Sequence, residues 1–167
     1  MVRTKKPDTA TATRSARAAT GTRSRDARPP VRRPRRLTLD EAFIALLIGA
    51  MDANGHVSRE ELARAQHIIW STKRYRRKSG EHVGRLIDAM RTMVEEHGAL
   101  GVIATAAHVI PVRLRPAAFA VSADLILSDG KMERAERRFL DRLASDLGLG
   151  RQATAGILDA MLVKNSV

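Results

Sequence analysis

Two stretches of this chain follow one plan. Asn54-Gly55-His56-Val57-Ser58-Arg59-Glu60-Glu61 and Asp129-Gly130-Lys131-Met132-Glu133-Arg134-Ala135-Glu136 both open on Asn/Asp-Gly. Each then places an apolar residue two past the glycine and a glutamate four past that. The offset between the copies is constant, and each lies between segments with helical apolar spacing. The expected skeleton is therefore a duplicated helix–acidic turn–helix unit, its copies related by a pseudo-twofold axis. Internal repetition narrows the possible architectures before any finer detail does.

The segments around the turns predict helices. Leu39, Ala42, Phe43, Leu46, Leu47, Ala50 and Met51 form an i, i+3, i+4, i+7 stripe, with Thr38 or Asp40 as its cap. A second helix starts after Ser58, carries Leu62, Ala65, Ile68 and Ile69 on one face, and runs into a basic loop at Lys73–Lys78. A third turns Val83, Leu86, Ile87, Met90 and Val94 inward and stops at His97-Gly98. Residues 99–110 are almost wholly apolar, too short for a bilayer span, and read as the central buried helix, closed by Pro111. The next helix turns Leu114, Ala117, Ala118, Val121 and Leu125 inward and tolerates Pro116 in its first turn. Two more carry Leu140, Leu143, Ala144 and Leu147 up to Gly148, then Ile157, Leu158, Met161 and Leu162. Nothing alternates at period two, so the expected fold is all-α with about seven helices. Composition agrees, because 44% hydrophobic residues with only 3% aromatics leave a core of Ala, Leu, Ile, Val and Met. Most of these lose little side-chain freedom in a helix.

The net charge of +12 is unevenly divided. Residues 1–36 hold 12 Lys/Arg against 2 Asp, and residues 37–167 hold 18 Lys/Arg against 16 acidic residues. Residues 1–36 are thus a basic Arg/Thr/Ala/Pro-rich leader, too poor in large apolar side chains to offset the entropy of ordering, and disorder is expected there. Arg32-Arg33 and Arg35-Arg36 suggest a twin-arginine signal, but Asp40 and Glu41 interrupt any secretory apolar region. Residues 37–167 form the folded domain. No apolar run approaches the roughly 20 residues of a membrane span, and a cytoplasmic location is expected. The absence of cysteine excludes disulfides, thiolate zinc sites and thiol nucleophiles.

Taken singly, the turns are poor calcium loops. Counting the glycine as position six puts Ala50 at position one of the first copy, and Leu125 and Leu127 at positions one and three of the second. Hard cations need six or more oxygens, so neither loop suffices alone. If the copies pack about a twofold axis, Asp52, Asn54, Glu61, Asp124, Asp129 and Glu136 pool into one acidic cluster, and crowded carboxylates call for a divalent cation such as calcium or magnesium, or for a basic partner. The competing explanation is helix capping. Ser58-Arg59-Glu60-Glu61 has the capping-box pattern, whereas Glu133 is a poorer cap and leaves Glu136 less fully explained.

These two turns, each after an Ala/Leu-rich helix, together with Phe139-Leu140-Asp141-Arg142-Leu143-Ala144-Ser145-Asp146-Leu147-Gly148-Leu149, resemble the tellurite-resistance TerB family and its TerB-like relatives. The resemblance covers about residues 37–163. It implies a compact seven-helix domain with pseudo-twofold symmetry and an acidic surface implicated in divalent-metal binding. It also implies a role in tellurite resistance and wider stress responses, exercised with membrane-associated protein partners rather than by catalysis. Carried onto this chain, the acidic positions are Asn54, Glu61, Asp124, Asp129 and Glu136. Asn54 departs from the aspartate usual there, which removes one charge.

Five histidines (His56, His67, His82, His97, His108) show no metal-ligand spacing, and His108, in an apolar segment, is expected in the core. No nucleophile triad, Walker loop or dinucleotide fingerprint is present, so the chain reads as non-enzymatic. Lys73, Arg74, Arg76, Arg77 and Lys78 surround Tyr75 and form the candidate phosphate or anion site, with Tyr75 stacking or lying at an interface. The expected function is a TerB-like, metal-responsive interaction module. The competing class binds nucleic acid or anionic lipid through the leader and this loop.

Overall fold

Thr38 starts the first helix by closing a capping box. Its hydroxyl accepts from the Glu41 N–H at 3.3 Å, and a Glu41 carboxylate oxygen accepts from the Thr38 N–H at 2.8 Å. Of the two caps expected, Thr38 is the one used. The computed structural model describes residues 36–54, 59–129 and 131–166, all within one unit, Val31–Val167. Residues 1–35 of the leader, together with Gly55, His56, Val57, Ser58 and Gly130, lie outside the described residues, as do the side chains of Asn54, Glu60 and Asp129. Among the described residues there are seven α-helices and no strand. They are α1 Leu39–Met51, α2 Arg59–Ser71, α3 Gly80–His97, α4 Ala99–Val109, α5 Arg115–Ile126, α6 Arg134–Asp146 and α7 Arg151–Lys164. The all-α expectation holds.

Helix α1 is the axis of the domain. Every residue from Glu41 to Met51 is buried, and the helix touches α2, α3, α4 and α5. At Gly49 a Cβ would come within 2.9 Å of Ile103 Cδ1 and 3.4 Å of Phe139 Cε2, so the missing side chain lets α4 and α6 close on it. The sequence had pointed instead to residues 99–110 as the central helix. Helix α4 buries only Val102, Ile103, Ala106 and Ala107, while Leu100 is 54% exposed and His108 faces solvent rather than the core. An unbroken apolar run does not require burial on every side. Ala and Gly on the outer face leave little apolar area in water, and scattered exposed apolar residues are ordinary.

Helix α5 also departs from its expected register. It buries Ala118, Phe119, Ser122, Ala123, Leu125 and Ile126, leaving Ala117 exposed and Leu114 and Val121 half-buried. Helix α7 lies against α5 with Ile157, Leu158 and Met161 half-buried and no residue fully so. The expected stops are glycines in the left-handed region, Gly98 at φ 74° after α3 and Gly148 at φ 64° after α6. Only glycine adopts that backbone there without strain.

Candidate functional site

Helix α1 leads into the 3₁₀ turn Asp52–Asn54, which packs against α6, the helix that follows the second acidic turn. Asp52 is exposed. With Ala53 it walls a groove of about 540 Å³ completed by His97–Gly101 and by Ala135, Arg138, Phe139 and Arg142. On its other side Asp52 borders a groove of about 240 Å³, floored by Ile48, Met51, Leu62 and Val94 and flanked by Arg59, Arg91 and Glu95. The first turn therefore forms a ridge between two apolar grooves edged by arginines.

The other acidic positions have varied surroundings. Glu61, in the first turn of α2, is half-buried. Glu136 accepts from the Glu133 N–H at 2.7 Å and closes a capping box at the start of α6, so capping accounts for it better than the sequence suggested. Asp124 on α5 binds helix α7, its Oδ1 accepting from Lys164 Nζ at 2.6 Å and Asn165 Nδ2 at 3.1 Å. Arg64 of α2 stands 3.8 Å from the same oxygen and donates to Asn165 at 2.8 Å. Asp124 thus ties three helices together. Among the described residues no three His, Asp or Glu side chains group closely enough to hold a metal ion. The described carboxylates do not make an ion site by themselves.

The basic loop divides into an inner and an outer set. Tyr75 is 1% exposed, and its hydroxyl donates to the Asp40 carbonyl at 2.7 Å. It belongs to the core, which corrects the expectation that it would stack on a ligand or lie at an interface. Burial, with the Asp40 carboxylate nearby, pushes its phenol well above the ordinary value. Arg74 Nε lies 2.5 Å from Asp40 Oδ1, and Lys78 Nζ lies 2.7 Å from Oδ2. Arg74 is thus ion-paired with Asp40. Its guanidinium also lies over the Phe43 ring, 5.8 Å from the centroid. Burial alone would raise the Asp40 carboxyl, but the Lys78 hydrogen bond and the charges of Arg74 and Lys78 outweigh it and hold the group below its ordinary value. Of the five cations, Lys73, Arg76 and Arg77 are the exposed ones.

Among known protein families, the one described as tellurite resistance protein TerB matches residues 40–159. The chain belongs to the TerB family. No curated protein and no solved structure matches it. The TerB match begins in the first turn of α1 and ends within α7, so both turns and the basic loop lie inside it and the leader does not.

Within this TerB domain, the groove residues Arg138 and Arg142 and the Asp40–Arg74–Lys78 cluster escaped sequence reasoning. The i, i+4 spacing of Arg138 and Arg142 was a usable signal, because it puts both on one side of a helix. Nothing local links Asp40 to residues more than 30 positions away. No helix among the described residues is long and apolar enough to cross a membrane.

Proposed function

We propose that this TerB-family chain is a non-enzymatic module of the tellurite-resistance, stress-response type, acting through protein partners that dock around its first acidic turn. The observation that carries the reading is the family match over 40–159, joined to the position of Asp52 between two apolar grooves with arginine edges. A partner presenting apolar side chains flanked by carboxylates fits that relief. The paired turns, with Asp52, Asn54, Glu61, Asp129 and Glu136, would respond to a divalent cation by tightening the ridge between the grooves. Packing of the first turn against α6 supports a duplicated design in which one copy leans on the other.

The test is titration calorimetry of the full chain with calcium, magnesium, manganese and zinc, beside an Asp52→Ala/Glu61→Ala variant. The expected result is a saturable heat for at least one ion in the wild type and its loss in the variant, with slower hydrogen exchange at residues 52–64 and 131–138 when the ion is present. Identical heats in the two proteins would sink the ion-responsive part.

A second role is favoured by one observation: Lys73, Arg76 and Arg77 are exposed, and no acidic residue occurs between Glu61 and Glu81. Such a surface, with the leader, suits nucleic-acid phosphates or anionic lipid head groups. Binding through it would collapse with added salt, because neutralising phosphates releases their counterions.

A further inference from the structure

The loop after α2 and the 3₁₀ turn Val112–Leu114 before α5 meet across a third groove, of about 370 Å³. Its apolar lining is Phe43, Leu114, Ala117 and Val121, with Lys73 and Arg74 at the edge. Leu114 and Val121 pack against the core yet stay half-buried, and Ala117 is exposed. The two connections that supply its lining also carry the exposed cations Lys73, Arg76, Arg77 and Arg113, and Val112 in the 3₁₀ turn is 74% and Trp70 near the end of α2 39% exposed. Both connections fall in acid-free stretches, since no Asp or Glu occurs between Glu61 and Glu81 or between Glu96 and Asp124. The nearby carboxylate of Asp40 is already paired with Arg74 and Lys78. Turns closed by hydrogen bonds from the Tyr75 and Arg76 N–H groups to the Thr72 carbonyl follow α2 directly, so Trp70 stands within a few residues of Lys73, Arg76 and Arg77.

We propose that this end of the domain is a peripheral docking surface for anionic phospholipid bilayers. In this assignment Trp70 and Val112 enter the interface, and Lys73, Arg76, Arg77 and Arg113 meet head-group phosphates. It rests on, and narrows, the second role given above. The chemistry favours lipid over nucleic acid. A phosphate backbone gains nothing from an exposed valine or an aliphatic groove, whereas a membrane interface accepts apolar side chains and phosphate-binding cations side by side. Tryptophan is the side chain most at home at that depth, with an apolar body and a polar N–H. The leader is a poor occupant for the groove, because its charge has the same sign as the rim.

Trp70 is the only tryptophan of the chain, so its emission reports on this surface alone. Full-length protein is titrated with vesicles of phosphatidylcholine, with vesicles of phosphatidylcholine and phosphatidylglycerol in equal parts, and with single-stranded DNA. The anionic vesicles are expected to shift Trp70 emission to the blue and to quench it when they carry brominated acyl chains, and pure phosphatidylcholine to do neither. At about fivefold per basic residue near the surface, Lys73→Gln/Arg76→Gln/Arg77→Gln raises the half-saturating lipid concentration about a hundredfold. Val112→Ser raises it about tenfold, with circular dichroism confirming the fold. Co-sedimentation with vesicles while Trp70 emission stays put would mean that the leader alone binds, which overturns this surface and spares the broader role. A Trp70 response to DNA but not to vesicles would make it a nucleic-acid site, and no response to either would remove both.

Discussion

Replacing Tyr75 tests the interior most directly, since the sequence pattern had put this ring on the outside. At 1% exposure the side chain removes nearly all of its surface from water. An aromatic side chain buries roughly 150–250 Å². At about 25 cal/mol per Å² that is roughly 4–6 kcal/mol, an upper bound because the unfolded chain already hides part of this area. Aromatic-to-alanine changes in cores cost about 3–5 kcal/mol, which is the range expected for Tyr75→Ala. Tyr75→Phe keeps the ring and loses only the 2.7 Å bond to the Asp40 carbonyl, which retains its place in the α1 ladder, so about 1 kcal/mol is expected. Urea unfolding, followed by circular dichroism and by Trp70 emission, reads both. With a slope of about 2 kcal/mol per molar, Tyr75→Ala should lower the midpoint by about 2 M and Tyr75→Phe by about 0.5 M. Equal costs for the two variants, or a cost for Tyr75→Ala below about 1 kcal/mol, would place the ring in solvent and refute the argument.

Two further predictions concern charge. Asp40 has its folded pKa depressed, so its pairing with Arg74 and Lys78 stabilises fully above the unfolded value of about 3.9 and is lost as pH falls through the folded value. Asp40→Asn should therefore cost about 1 kcal/mol at neutral pH, and the gap to the wild type should narrow as pH falls through the folded value; a gap that does not narrow in acid would refute the pairing. Tyr75 has the opposite sign. Its raised pKa leaves stability intact below about pH 10 and erodes it above, so the wild type should lose stability in alkali faster than Tyr75→Phe. Asp124→Ala removes the acceptor shared by Lys164 and Asn165 and should speed hydrogen exchange through α7 while leaving α1 protected. Unchanged exchange in α7 would mean that its half-buried apolar residues hold it without that anchor.

The local signals in the chain were enough for the helices, their stops and the family. Thr38 with Glu41, Gly98, Pro111, Pro116 and Gly148 mark ends by chemistry that acts within a few residues, and the 3.6-residue stripes mark what lies between. The doubled turn carried the TerB resemblance for the same reason, being a short pattern met twice. Only the tertiary structure decided depth. A stripe states which face of a helix prefers shelter, but the number of neighbours surrounding it is set by the whole assembly. So α1 became the axis in place of α4, α5 turned Phe119 and Ala123 inward and left Ala117 out, and His108 stayed in water. The basic loop shows the same division. Its charge was plain from composition, yet which cations face out depends on Asp40, brought close by packing that no spacing within the loop encodes.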